Sequence, residues 1–465
     1  MQVKYVDIDK GRSYIKLPQI TTGEFKKIPE LIDLGNFQSQ HIIFSPLTQI
    51  AYLIDDEAYR ILSLKIENNN FFSEFIKSGI FIKDQNNLFP KPKIQKFEPK
   101  NNITIFLTRR CNLRCKYCYA SGGEMNENID LNFARVGIDF AFKSREDPLK
   151  ITFHGGGEPF LAFDLMKKIL VYAKNKTDKV VATAVTNGLL NEKMIDFVLN
   201  NFKNLMISYD GPPSIQDVHR PMINGRPSSL HVEKTIKMFD ENGWIKNIGI
   251  RSTISAFSEN KMTDIVNYFY SYGLKKVIFE PLFEVGRAKN TGIEEPNLKI
   301  FAENFLKALE LAEDYNMNLS SSFLPLGVKC SFCDAAGSNF ALTTDGYITS
   351  CYEKVSGCAD PEAIFIYGRY DKKERKIIVN EKKINFLGTR TVYNMKSCQD
   401  CIAKWSCAGG CLIKTFQYTG DLFKPLEKFC VAKRDILRKY IRFRIEKDII
   451  KAKHCLRKYP IHFTK

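Results

Sequence analysis

The chain has 465 residues, 44% hydrophobic and 26% charged, a balance that excludes a largely disordered or collagenous protein and, by length, points to two or three domains. Lys and Arg number 69 against 52 Asp and Glu, a formal net charge of +17, which suits nucleic acid, a membrane surface or an acidic partner. No run of eighteen apolar residues and no apolar N-terminal stretch occurs, so no membrane span and no secretory signal is expected, and the cytoplasm is the expected compartment.

In chain order, residues 41–46 and 49–54 alternate like strands, and residues 56–64 and 71–78 follow helical spacing. A Pro- and Lys-rich stretch at 90–100 then reads as a linker, which sets off an N-terminal α+β module at 1–98. From 99 to 316 short β-rich runs (103–108, 151–155, 180–187, 205–210, 248–254, 277–281) alternate with amphipathic stretches (133–142, 165–174, 194–200, 232–242, 262–272, 298–315). Alternation of this kind predicts an α/β core with a parallel sheet and crossover helices. Eight units would make a full barrel, whereas six make an open or partial (β/α)6 TIM-like one. Residues 317–440 lose periodicity, are rich in loops and cysteine, and carry one strand-like hairpin near 364–380. A basic tail occupies 441–465.

The thirteen cysteines are grouped: three at 111, 115 and 118, nine between 330 and 430, and Cys455 alone. In a reducing compartment such grouping reads as soft-metal ligation rather than a disulfide framework, and thiolates holding iron would answer part of the positive charge internally. Cys111, Cys115 and Cys118 form a C-x3-C-x2-C loop directly after the first predicted strand. Three thiolates can hold three irons of a cubane and leave the fourth open to a small molecule. A zinc site or buried thiols are the alternatives from the residues alone.

This loop resembles the signature of radical S-adenosylmethionine (SAM) enzymes, and further motifs follow in that family's order. The resemblance implies that Cys111, Cys115 and Cys118 hold the catalytic 4Fe–4S cluster, with Tyr117 near the SAM adenine. His154-Gly155-Gly156-Gly157-Glu158-Pro159 resembles the GGEP motif, which implies that Gly156, Gly157 and Glu158 lie at the methionine amino group. Asn187 ends the third predicted strand. Ser208 and Asp210 end the fourth, in a segment that resembles the one contacting the ribose. Arg251 lies on the fifth strand, where relatives place an arginine against the SAM carboxylate, and Leu282 follows the sixth, where adenine packing is implied. Each stands at a strand's C-terminal end, the face of βα units that carries active sites.

The later cysteines resemble the SPASM extension of the same enzymes, which holds two auxiliary 4Fe–4S clusters. That pattern implies Cys330, Cys333, Cys351 and Cys411 on the first, with Cys358 a competing thiol, and Cys398, Cys401, Cys407 and Cys430 on the second. A zinc ribbon is the alternative for 398–411. Three clusters and SAM are therefore the implied cofactors, and a flavodoxin or ferredoxin the implied reductant. The activity implied is generation of a 5′-deoxyadenosyl radical that oxidatively modifies a ribosomally made precursor peptide by thioether or carbon–carbon cross-linking, and 1–98 is either a winged-helix-like element that docks the peptide or a structural cap on the barrel.

Two alternatives remain open. Anaerobic sulfatase maturation is one, although that branch places Asp after the cysteine of G-x4-C where this chain has Tyr352. A non-enzymatic iron–sulfur electron carrier is the other, but it leaves the GGEP-like and Ser-x-Asp segments unexplained. A membrane is not expected as a partner. Nor is nucleic acid, because no basic module with stacking aromatics is visible.

Overall fold

The structure is a computed structural model and describes residues 4–7, 21–22, 25–64, 69–85, 88–92, 97, 99, 101–324, 327–357 and 361–456. Two compact units are present: residues 94–323 with 333–389 form the larger, and residues 1–93 with 324–332 and 390–465 the smaller.

The larger unit is built on repeated βα steps: β1 (Asn102–Ile105), α1 (Leu131–Ala141), β2 (Leu149–Phe153), α2 (Phe163–Lys174), β3 (Val180–Thr186), α3 (Glu192–Asn201), β4 (Phe202–Ser208), α4 (Pro213–His219), α5 (Ser229–Glu241), β5 (Ile248–Ile254), α6 (Met262–Ser271), β6 (Lys276–Pro281), α7 (Leu298–Asp314) and β7 (Asn318–Ser320). Strands β1 to β7 pair in sequence order and all in parallel. Beyond β1 the sheet continues through β8 (Ala341–Leu342), parallel to β1, and then the antiparallel β9 (Tyr347–Thr349), β10 (Ile366–Asp371) and β11 (Lys376–Val379). It stays open, with β7 and β11 as its edges.

The side chains explain these elements. In β2, Leu149, Ile151 and Phe153 are buried while Lys150 is exposed, the period-two pattern of a strand with one inward face. Helix α1 buries Phe133, Ala134, Gly137, Ile138 and Ala141 on one stripe, and the Asp130 side chain accepts from the Phe133 amide as an N-cap. Gly137 lets β8 pack closely: a Cβ there would lie 2.4 Å from a Leu342 methyl group of β8.

Beyond shifts of two or three residues at strand ends, such as β2 at Leu149–Phe153 and β4 at Phe202–Ser208, three differences stand out. Strand β1 ends at Ile105 rather than 108, because residues 108–110 turn their carbonyls to the loop after β2: the Gly157 amide donates to Thr108 O (2.8 Å) and the Glu158 amide to Arg110 O (2.8 Å). Helix α4 is new. Its opening, Pro212-Pro213, reads as a turn in sequence, yet proline is well suited to a first helical turn. Strands β7 and β8 are two or three residues long, too short to show a period.

The smaller unit holds a four-stranded antiparallel sheet in the order Lys4–Asp7, Ile50–Ile54, Gln40–Ser45, Ile32–Phe37. Helices Asp56–Leu64 and Asn69–Lys77 follow it. Ile43, Tyr52, Ile54, Leu62, Phe75 and Ile80 form its core. Its cysteine-rich part is organised by short turns and by the helix Glu427–Leu456. Cys358 and residues 457–465 lie outside the described residues. No helix among the described residues is long and apolar enough to cross a membrane.

Candidate functional site

In the larger unit, the cysteine loop leaves the C-terminal end of β1 and runs beside the segment that follows α4. The Arg114 amide donates to Pro221 O (2.8 Å), the Lys116 amide to His219 O (2.9 Å) and the Ile223 amide to Asn112 O (2.9 Å). Two guanidinium groups fix its carbonyls: Arg114 Nη1 donates to Cys111 O at 3.1 Å, and Arg287 Nη1 to Cys115 O at 3.1 Å. Burial pushes the Cys111 thiol up to about 11 and raises Cys115, while neighbouring thiols add like-charge repulsion and Arg220 pulls Cys115 back. Clustered, half-buried thiols whose neighbours oppose ionisation at Cys111 and Cys115 suit a metal centre, which takes thiols as thiolates and releases their protons.

The glycine loop after β2 packs backbone to backbone against this loop. Gly155 and Gly156 adopt φ of +80° and +74°, conformations open to glycine. A Cβ on Gly157 would sit 2.0 Å from Arg110 O.

Glu158 is buried and bonded on both oxygens, Oε1 accepting from Thr186 Oγ1 (2.7 Å) and the Phe160 amide (3.2 Å), Oε2 from the Asn187 amide (2.6 Å). Asn187 then donates from Nδ2 to Asn112 Oδ1 at 2.7 Å and approaches Cys111 Sγ at 4.0 Å. The ends of β2 and β3 are thereby tied to the first cysteine.

Burial pushes Glu158 up to about 7, against its three hydrogen bonds. Since the folded carboxyl holds its proton more tightly than the unfolded one, the contribution of Glu158 to stability is greatest below about pH 4.5. It declines as pH rises towards about 7, by about 3 kcal/mol. Glu158→Gln, lacking a titrating group but also one acceptor oxygen, is expected to unfold at lower temperature at pH 5 and to lose this slope in thermal melts between about pH 5 and 7. A slope unchanged by the substitution refutes the assignment to Glu158.

Asp210, after β4, is fully buried at the centre of a second network. Oδ2 accepts from the Tyr117 hydroxyl, lies 3.1 Å from His219 Nδ1 and 3.1 Å from Arg220 Nε, and Oδ1 accepts from the Thr253 amide at 2.9 Å. Burial opposes its ionisation, yet Arg220 and His219, with the Thr253 amide, hold the carboxyl well below the usual range. Arg220 Nη1 also reaches Cys115 Sγ at 3.9 Å, and the guanidinium lies 5.0 Å over the Tyr117 ring. His219 Nε2 in turn meets Ser255 Oγ at 2.9 Å. Sequence reasoning missed His219, Arg220 and Ser255. The signal available was the adjacent His-Arg pair nine and ten residues after Asp210.

The remaining expected SAM contacts occupy the same rim. Ser208 ends β4, half-buried. Arg251 is exposed on β5, 4.0 Å from Glu280 Oε1, and the buried Leu282 follows β6 with its amide bonded to Ile254 O (2.8 Å). No hydrogen bond links these three to the cysteine loop among the described contacts. Beside them, burial and then Arg251 push His154 down to about 4, so its imidazole is neutral at pH 7. It stands edge-on to Tyr352 at 5.3 Å.

Of the four cysteines expected on a first auxiliary cluster, Cys330 and Cys411 belong to the smaller unit and Cys333 and Cys351 to the larger. The second quartet lies wholly in the smaller unit. Burial raises Cys398 and Cys430 to about 12 each; Cys401 and Cys407 push both up, and Cys398 adds to the effect on Cys430. Among the described residues no group of three His, Cys, Asp or Glu side chains is placed to hold a single metal ion.

Residues 105–267 match the family model of the Radical SAM superfamily. The chain carries a radical SAM domain. An uncharacterized protein of Methanocaldococcus jannaschii is 32% identical over 184 residues, 39% of this chain and 62% of that protein. Among solved structures, native anSMEcpe with bound AdoMet aligns with a TM-score of 0.60 at 18% identity, over 74% of this chain and 98% of that one. Streptococcus suis SuiB bound to precursor peptide SuiA aligns with a TM-score of 0.52 at 15% identity, over 84% and 96%. These likenesses establish the fold. Relatives named for bacteriocin biosynthesis and for sulfatase maturation both occur. The matched region spans about half to three-fifths of the length of the first curated relatives.

Proposed function

We propose that this chain is a cytoplasmic radical SAM maturase that oxidatively cross-links a ribosomally made precursor peptide, with reducing equivalents from a flavodoxin- or ferredoxin-type partner. One observation carries the catalytic reading: thiols at 111, 115 and 118 emerge from the first strand of the parallel sheet, and side chains from the ends of β3 and α4, Asn187 and Arg220, reach two of them. Cys111, Cys115 and Cys118 would hold a 4Fe–4S cluster, with SAM bound along the rim formed by Tyr117, Gly156, Gly157, Glu158, Asn187, Ser208, Asp210, Arg251 and Leu282. When bound, these groups supply one-electron cleavage of SAM to methionine and a 5′-deoxyadenosyl radical able to abstract hydrogen from an unactivated C–H. The protein's own part is placement. Glu158 and Asn187 set the first cysteine, Arg220 offsets thiolate charge at the second, and Asp210 anchors both Arg220 and Tyr117.

Cys398, Cys401, Cys407 and Cys430 would hold an auxiliary cluster. Tyr352 favours cross-linking over sulfatase maturation. Where that branch has a carboxylate, this hydroxyl is bonded to Asn339 Oδ1 (3.0 Å) and Thr104 Oγ1 (3.2 Å), and burial raises its pKa, so it is no proton acceptor at neutral pH. The net charge of +17 and the open four-stranded antiparallel sheet of the smaller unit support an acidic peptide docked by strand addition.

Anaerobic incubation with SAM and dithionite is expected to yield 5′-deoxyadenosine, and the Cys111, Cys115, Cys118→Ala protein none. An electron carrier yields none in either. With a co-expressed precursor peptide, mass spectrometry is expected to show loss of two hydrogens per link; formylglycine in a sulfatase peptide would instead assign the chain to the other branch.

A further inference from the structure

Within the larger unit, consecutive residues after β4 face opposite ways. Asp210 turns to the cysteine loop, where its carboxylate accepts from Tyr117, whereas Tyr209 turns to the helices α5 and α6. Tyr209 is fully buried. Its hydroxyl lies 2.5 Å from that of Tyr268 on α6 and 3.3 Å from Glu233 Oε1 on α5, and Tyr268 donates to the same Oε1 at 2.6 Å. With Tyr268 donating there, its oxygen accepts from Tyr209, so both phenolic protons are directed towards one carboxylate.

The rings form a series as well. The centroids of Tyr209 and Tyr268 are 5.9 Å apart and those of Tyr268 and Tyr272 5.1 Å, with Phe269 5.6 Å from Tyr209 and 5.8 Å from Tyr268. At the outer end a cavity of about 490 Å³ is lined by Tyr268, Tyr272, Ser271 and the exposed Lys237 and Asp240. The series thus begins one residue from the Asp210 network and ends at solvent.

A phenol that loses an electron becomes a strong acid, so its oxidation is eased when a base within hydrogen-bond reach takes the proton in the same step. Glu233 stands within that reach. Burial above all, then the Glu233 carboxylate, raises Tyr268, and burial raises Tyr209, so both keep their protons at neutral pH and oxidation has to release one. Cohesion of the helices alone does not call for two phenols on one carboxylate, since apolar groups of the same shape serve it as well.

We propose that Tyr268, with Tyr209 behind it and Glu233 as proton acceptor, is a one-electron redox site that drains stray oxidising equivalents from the SAM site to the outer face. The oxidant is a cysteine thiyl radical, formed when a thiol gives its hydrogen atom to the 5′-deoxyadenosyl radical in place of substrate. One electron passes from Tyr268 to the thiyl, which becomes a thiolate; Tyr268 becomes a neutral phenoxyl, and its proton moves to Glu233. The protective role rests on the radical SAM reading of the chain, whereas the redox property of Tyr268 does not.

The test uses full-length protein carrying 3,5-difluorotyrosine at position 268, without SAM, and photogenerated tris(bipyridine)ruthenium(III) as oxidant. The label is needed because the chain has 20 tyrosines. EPR of the frozen sample is expected to show a phenoxyl signal split by fluorine. Glu233→Gln, which keeps an acceptor oxygen but is no base, is expected to lower its yield about tenfold or more. A signal without fluorine splitting, or one equally strong in Glu233→Gln, overturns the redox site. In repeated turnover with SAM and limiting reduced flavodoxin but no peptide, Tyr268→Phe is expected to lose 5′-deoxyadenosine formation in fewer cycles than the parent protein. Equal lifetimes overturn the protective role. No 5′-deoxyadenosine from either protein overturns the radical SAM reading itself, and the fluorine label still decides the redox site.

Discussion

Asp210→Asn is expected to cost the larger unit about 3–5 kcal/mol of stability, because it leaves Arg220 buried without its partner carboxylate. Asp210 is fully enclosed and Arg220 nearly so, so water cannot re-solvate the orphaned guanidinium. The loss extends beyond one pair, since the same carboxylate oxygen also receives the Tyr117 hydroxyl and faces His219. Tyr117 is the residue between Cys115 and Cys118, so its release loosens the cysteine loop. Chemical denaturation of Asp210→Asn, Arg220→Met and the double variant provides the check, and the double variant is expected to be less destabilised than the sum of the two singles. Strict additivity, or a loss below about 1 kcal/mol for Asp210→Asn, removes the network from the account. The carboxylate's stabilisation is in place above its unfolded pKa of about 3.9 and is lost as pH falls below it.

Gly157→Ala is expected to have an effect of similar size by a different route. Its backbone is not left-handed, so strain from φ plays no part; the added methyl instead lands 2.0 Å from Arg110 O and 2.7 Å from the Arg109 carbonyl carbon. Those are backbone atoms one or two residues from Cys111 and cannot rotate aside as a side chain would. Overpacking of this kind costs about 1–3 kcal/mol or more. It also breaks the pairing of the 155–158 and 108–110 segments through the Gly157 and Glu158 amides. Gly225→Ala is the control: its φ is +77° with nothing within 4 Å of an added Cβ, so it bears only the left-handed penalty of about 1 kcal/mol. Iron content after anaerobic reconstitution is expected to fall sharply in Gly157→Ala and to hold in Gly225→Ala. Equal iron in the two proteins contradicts the close-packing argument.

The parallel core was readable because its signals are local. Ile151 and Phe153 alternate with a less buried neighbour, as a strand at that place predicts. The cysteine and glycine loops were readable for the same reason, as short motifs at strand ends. Hidden from sequence was whatever depends on distant residues meeting. The sequence placed Asp210 at a strand end, but gave no sign that its carboxylate gathers Tyr117, Arg220, His219 and the Thr253 amide. Pairing of β8 with β1 joins residues more than two hundred positions apart, for which a two-residue strand gives no pattern. Arg390 was likewise invisible, because nothing in its neighbours announces that a buried side chain will donate to the Ala408 and Gly409 carbonyls.

Glu30 has a consequence for any attempt to divide this chain. It sits in a left-handed turn at φ +59°, and its carboxylate bonds Lys404 Nζ (3.2 Å) and the Trp405 indole, both on the span that joins Cys401 to Cys407. Pro90 O likewise accepts from the Tyr393 hydroxyl at 2.8 Å. The amino-terminal segment is therefore interlocked with the late cysteine region, although some three hundred residues separate them along the backbone. Grafting another protein's first ninety residues in its place would strip Trp405 of its acceptor unless an acidic side chain were supplied at the same spot. Swapped or trimmed versions should thus be judged first by whether they retain metal, and only then by which peptide they accept.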